Sequence, residues 1–143
     1  MSTIDWEELR SAAIAAKKNA YAPYSGYPVG AAALVDDGRI VSGCNVENAS
    51  YGLGTCAENG VVADLYRTGG GRLRAIYCVN GSGEPVVPCG RCRQILYEHG
   101  GAGLLVAIPE QIMTLGQLLP HAFGPAHLRE VPSATARNLP TTD

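Results

Sequence analysis

Val29-Gly30-Ala31-Ala32-Ala33-Leu34-Val35, Asp36-Asp37-Gly38, and Arg39-Ile40-Val41-Ser42-Gly43-Cys44-Asn45-Val46 form one continuous stretch with two strand-like runs around an Asp-Gly step. Asp-Gly supplies the positive-φ turn that matches the twist of two antiparallel strands, so the stretch predicts a β-hairpin. Before it, Trp6, Leu9, Ala13, Ala16 and Ala20 recur at the period of one helical face. A helix is expected over about residues 4 to 20, capped by Thr3, with Asp5, Glu7 and Glu8 in its first turn and Lys17 and Lys18 in its last.

After the hairpin the pattern changes. A second helix is expected to start near Thr55, carry Val61, Val62 and Leu65, and stop at Gly69-Gly70-Gly71. Leu73 to Val79 reads as a buried strand, Gly90 to Glu98 as a third helix, and Leu104 to Ile108 as another buried strand. Leu115 to Leu119 is a short helix, with room for a strand segment before it. The order αββαβαβ predicts an α/β fold with a mixed sheet and helices on both faces. A single domain is expected over residues 1–128, followed by a disordered tail, 129–143, that has Pro132 and Pro140 and little to bury.

The chain has 143 residues, of which 17% are charged, against about 25% in typical domains. Its formal net charge of −2 argues against a polyanion partner, since nucleic-acid binding needs a basic face to displace counterions. Low charge without disorder hints at surface hidden in an oligomer. The N-terminal residues lack a basic start and apolar run, and no apolar stretch reaches membrane-span length. A cytoplasmic protein is expected, in which the five cysteines stay reduced and their spacing points to metal or catalysis.

Three cysteines stand at helix starts: Cys56 on the second helix, Cys89 and Cys92 on the third. In Cys89-Gly90-Arg91-Cys92 the i, i+3 spacing sets both sulfurs on one helical face. The positive end of a helix favours thiolate, and soft thiolates suit Zn²⁺. Three protein ligands leave a fourth position for water, the mark of a catalytic zinc. Each piece also has a plainer reading. A lone C-x-x-C can be a redox pair, and Thr55-Cys56-Ala57-Glu58 fits a capping box in which Glu58 only reaches back to the backbone. Together they favour zinc, because a carboxylate two residues after a ligand can reach the metal's water without ligating the metal, as a general acid/base must.

These motifs, taken in order along the chain, resemble the small homotetrameric cytidine deaminases of pyrimidine salvage. The resemblance covers the chain to about Leu128. It rests on Ala22-Pro23-Tyr24-Ser25 with Val29-Gly30-Ala31-Ala32, Gly43-Cys44-Asn45-Val46-Glu47-Asn48-Ala49, Cys56-Ala57-Glu58, Pro88-Cys89-Gly90-Arg91-Cys92-Arg93-Gln94, and Leu118-Leu119-Pro120 with Phe123. It implies a three-layer α/β/α sandwich, one Zn²⁺ per subunit on Cys56, Cys89 and Cys92, and hydrolytic deamination of cytidine and 2′-deoxycytidine. Three anionic thiolates weaken the acidification of water at zinc, and Glu58 offsets this by taking the proton, delivering it to N3 and helping protonate the leaving amine. The resemblance further implies that Asn45 and Glu47 bind the ribose hydroxyls and that the Ala57 N–H donates to the pyrimidine O2. Tyr27 stands beside the base, while Tyr51 and Phe123 come from neighbouring subunits of a homotetramer.

Two positions depart from the pattern. Asn59 stands where the family often has an Arg that relieves the charge of the sulfurs, and Arg91 stands where a small residue is usual. Arg91 either takes over the charge relief or is a solvated surface residue. Cys44 and Cys78, on strands, read as small buried apolar residues, and His99 as a partner of a helix dipole. Two other readings remain open. One is a deaminase of a cytosine-nucleoside analogue such as blasticidin S; the other is a zinc-stabilised or thiol-redox module, which leaves Glu58 without a role.

Overall fold

In a computed structural model describing residues 3–130, the hairpin lies at one side of a five-stranded sheet. The elements in chain order are α1 (Trp6–Lys17), β1 (Gly30–Val35), β2 (Ile40–Cys44), a 3-10 turn (Tyr51–Leu53), α2 (Ala57–Arg67) and β3 (Leu73–Val79). They continue with α3 (Gly90–Gly100), β4 (Leu105–Ile108), β5 (Gln111–Thr114), α4 (Leu115–Leu118) and α5 (Pro125–Arg129). The strand order is β2-β1-β3-β4-β5. Only β3 and β4 run parallel, and α3 makes the crossover that a parallel pair requires.

Alternation along β1 splits the core into two layers. Ala31, Ala33 and Val35 face α2 and α3 with Val61, Leu65, Ile76, Leu96 and Val106. Ala32 faces the other way, onto Leu9 and Ala13 of α1, together with Ala75 and Val79. Successive strand side chains point to opposite faces, so the Ala-rich run serves both layers at once. Small residues also bring the helices close. A Cβ on Gly30 would lie 2.1 Å from the Ala13 carbonyl, and one on Gly43 2.6 Å from backbone atoms of Ala57, Gly60 and Val61. Gly43 therefore sets how deeply α2 sits on β2, and with it where the start of α2 lies.

Several boundaries differ from the sequence expectations. Asp5, not Thr3, caps α1, its side chain accepting the Glu8 N–H at 3.0 Å. The helix ends at Lys17 rather than residue 20, because Tyr21 pairs with Val46 in an isolated bridge and the chain must leave the helix to reach it. Helix α2 starts at Ala57 with Cys56 as its N-cap and no side-chain capping bond, so the Thr55–Glu58 capping box does not form. The optional strand before the short helix is present as β5. The structure adds a helix the sequence pattern does not predict, α5, which takes in Arg129 of the expected tail; residues 131–143 of that tail lie outside the described residues. No helix among the described residues is long and apolar enough to cross a membrane.

Candidate active site

The strands β2 and β3 lead to two helix starts that lie side by side on the same face of the sheet. Cys56 is the N-cap residue of α2 and Cys89 that of α3, both with extended backbone. Cys92 lies one turn into α3, fully buried. The Cys56 and Cys89 sulfurs are 3.9 Å apart, and all three sulfurs lie within 4.8 Å of one another. Three soft donors converging from two helix N-termini fit a thiophilic ion such as Zn²⁺.

The three thiols differ in how readily they ionise. Burial pushes Cys56 up, and burial with the nearby Glu58 carboxylate pushes Cys92 far above the usual thiol range. Burial also opposes ionisation of Cys89, but hydrogen bonds from the Cys92 backbone, the Cys92 thiol and the Cys56 thiol outweigh it and hold Cys89 below its ordinary value. A divalent cation held by the three sulfurs would favour the thiolate form of each.

Glu58 is the one buried charged residue among those described, 4% exposed in the first turn of α2. Its Oε1 accepts a hydrogen bond from the Cys78 thiol of β3 at 3.1 Å. Cys78 was expected to be a mute core residue. It is fully buried as expected, but its sulfur is spent on the carboxylate, and burial and Glu58 together raise its pKa well above the usual thiol value. No sequence signal links the two residues; their meeting depends on where the start of α2 sits against the sheet. Cys44, the other strand cysteine, is only half-buried.

Above the sulfurs opens a cavity of about 380 Å³. Tyr27, Asn45, Glu47, Tyr51, Cys56, Ala57, Glu58 and Cys89 line it, together with Val29, Val86 and Val87. Asn45 and Glu47 flank Val46, which is pinned from two sides by bridges to Tyr21 and Thr55. The Asn45 side chain accepts the Val29 N–H at 2.8 Å and donates to the Tyr27 carbonyl at 2.9 Å. Glu47 Oε1 accepts the Tyr24 and Ser25 N–H groups at 3.0 and 3.1 Å. Hydrogen bonds from the Ser25 side chain and backbone hold its carboxyl below the usual carboxylate range.

Residues 4–107 match the family model described as the cytidine and deoxycytidylate deaminase zinc-binding region. A cytidine deaminase from Mycobacterium tuberculosis is 60% identical over 124 residues, covering 87% of this chain and 93% of that protein. The chain belongs to the cytidine deaminase family. A further member, from Halalkalibacterium halodurans, is 42% identical over 125 residues, covering 84% of this chain and 95% of its own. The fold agrees as well: the crystal structure of cytidine deaminase from Mycobacterium tuberculosis superposes with a TM-score of 0.84 at 60% identity, over 85% of this chain and 99% of that one. The zinc-binding family and the cysteine trio together give one Zn²⁺ per subunit.

Three other positions in this cytidine deaminase family member are now placed. Arg91 is exposed and makes no hydrogen bond or ion pair among the described residues, and Asn59 makes none through its side chain. The arginine with partners nearby is Arg93, which donates to the carbonyls of Pro88 and Leu118 and so ties the loop before Cys89 to α4. Phe123 does not reach the cavity of its own chain. It is 57% exposed, stacked on His127 at 5.4 Å, with its carbonyl held by Gln94.

Proposed function

We propose that the chain hydrolyses cytidine and 2′-deoxycytidine to uridine and 2′-deoxyuridine, releasing ammonia, in pyrimidine salvage. The observation that carries this reading is the buried Glu58 carboxylate in the wall of a nucleoside-sized cavity, two residues along α2 from a converging cysteine trio. Cys56, Cys89 and Cys92 hold the zinc, which when bound supplies a Lewis acid that makes water nucleophilic near neutral pH. In the net reaction a C4–O bond forms and the C4–N bond breaks. Glu58 takes a proton from the water, places it on N3, and helps bring a proton to the departing amine.

The remaining residues orient the substrate. The Ala57 N–H, at the positive end of α2, donates to the pyrimidine O2. Asn45 and Glu47 hydrogen-bond the ribose, Glu47 accepting from the 3′-OH. Its Oε1 also accepts the Tyr24 and Ser25 amides, which hold the carboxylate at the cavity wall. Tyr27 stands beside the base. A polar pair against a ribose favours a plain nucleoside over a blasticidin-type analogue, and a redox module leaves Glu58 idle.

The working form in this reading is a cytoplasmic homotetramer in which Phe123 and Tyr51 complete neighbouring sites. Phe123, 57% exposed and outside the cavity of its own chain, fits that part, while Tyr51, 79% exposed, also lines the cavity of its own chain. The test follows cytidine to uridine by ultraviolet absorbance on purified protein, with and without a chelator, alongside metal analysis. Conversion that tracks one zinc per chain is expected; zinc-loaded protein that leaves cytidine intact overturns the proposal.

A further inference from the structure

Glu58 faces two thiols, Cys92 on α3 and Cys78 on β3. They are not equivalent. Cys92 belongs to the metal trio and must give up its proton to ligate, so it cannot remain a donor to Glu58 in the loaded protein. Cys78 is outside that trio, fully buried on β3, and its sulfur lies 3.1 Å from Glu58 Oε1.

A carboxylate that shuttles a proton between two atoms of a substrate gains from having one oxygen fixed, because the other then has one direction to work in. In the loaded protein the Cys78 thiol is the one of the two that still carries a proton to give to Oε1. The backbone holds Cys78 firmly: β3 is a central strand, and Ala31 and Cys78 face each other in the β1–β3 register.

Resting on the deaminase reading above, we propose that Cys78 is a positioning residue for the reaction. Its S–H anchors Oε1 of Glu58 and leaves the second oxygen to carry the proton. The thiol suits this task because it is a weak donor. It directs the carboxylate without competing strongly for the charge the reaction uses.

The test compares three variants of the zinc-loaded protein: Cys78→Ser, which keeps a donor, and Cys78→Ala and Cys78→Val, which do not. Cys78→Ser is expected to keep kcat within about twofold of the parent, while the other two lose about three- to tenfold, the scale of one modest hydrogen bond. KM for cytidine and zinc content stay unchanged in all three. A lost cavity contact lowers thermal stability in Cys78→Ala but not in the bulkier Cys78→Val, so agreement of those two in kcat separates anchoring from packing. Equal kcat in all three variants, or a loss that appears in KM or zinc content, overturns the proposal.

A second readout needs no substrate. The infrared S–H stretch assigned to Cys78 by difference against Cys78→Ser is expected at lower frequency than that of a free buried thiol, and to rise in Glu58→Gln. A band that does not respond to Glu58 overturns the anchor. Parent protein inactive on cytidine sinks the deaminase reading instead, while this band still reports on the contact.

Discussion

The carbonyl oxygen of the Asn45 side chain accepts the backbone N–H of Val29 at 2.8 Å. One residue that lines the cavity therefore also fastens the loop that carries Tyr27 over it, since the same amide donates to the Tyr27 carbonyl at 2.9 Å. Substrate contact and loop position are coupled through a single side chain.

Replacing that side chain is expected to cost both. Asn45→Ala leaves the Val29 N–H unpaired, and Asn45→Asp turns a carboxylate oxygen toward the Tyr27 carbonyl, each destabilising the fold by about 1–3 kcal/mol. Urea unfolding and the KM for cytidine should move together. If KM rises with no change in the unfolding midpoint, the loop does not depend on Asn45.

Glu58→Gln keeps the size of the side chain but cannot take a proton. Turnover of cytidine is expected to fall by about 10²–10⁴-fold, the usual worth of a general acid/base. Zinc stoichiometry and thermal stability should stay close to the parent. Near-parental turnover in this variant removes Glu58 from the chemistry.

Gly43→Ala tests whether the sheet sets the metal site. The new Cβ meets backbone on α2 at 2.6 Å, which a flexible side chain cannot relieve, so α2 must move and carry Cys56 with it. A loss of about 1–3 kcal/mol is expected from the overpacking, with weaker zinc retention against a chelator. Gly90→Ala is the control, because nothing lies within 4 Å of its Cβ although it sits beside Cys89. Equal zinc retention in the two variants contradicts the coupling.

His99 gives the stability a pH dependence. Burial pushes its imidazole below the ordinary value of 6.5, and its Nδ1 is 2.9 Å from the Tyr66 hydroxyl. Below pH 6.5 the unfolded chain therefore binds more protons at this residue than the folded one, and stability falls as pH drops through that window. Thermal melts between pH 7.5 and 5 should show the fall, and His99→Gln should reduce it. Matching slopes for parent and variant assign the effect to other groups.

Much of this was legible in the residues themselves. The Asp-Gly step, the helical period of Trp6, Leu9 and Ala13, and the apolar run of β3 each report a local preference, and local preferences survive into the fold. Cys56, Cys89 and Cys92 were legible for a related reason: helix starts and metal-ligand chemistry both leave their mark over a few residues of chain. Asp5 takes the cap from Thr3 because its side chain reaches the Glu8 N–H, and α1 stops early because tertiary pairing of Tyr21 with Val46 overrides the period.

The sequence by itself determined the order of elements from α1 to α4 and the donor set for zinc, since both rest on short-range chemistry. Only the tertiary structure decided that the two helix starts meet, that Asn45 spends its amide on the Val29 loop, and that a cysteine on β3 reaches Glu58 twenty residues earlier in the chain. Those contacts depend on how deeply α2 sits at Gly43 and on the register of β1 against β3, which are properties of packing across the whole sheet.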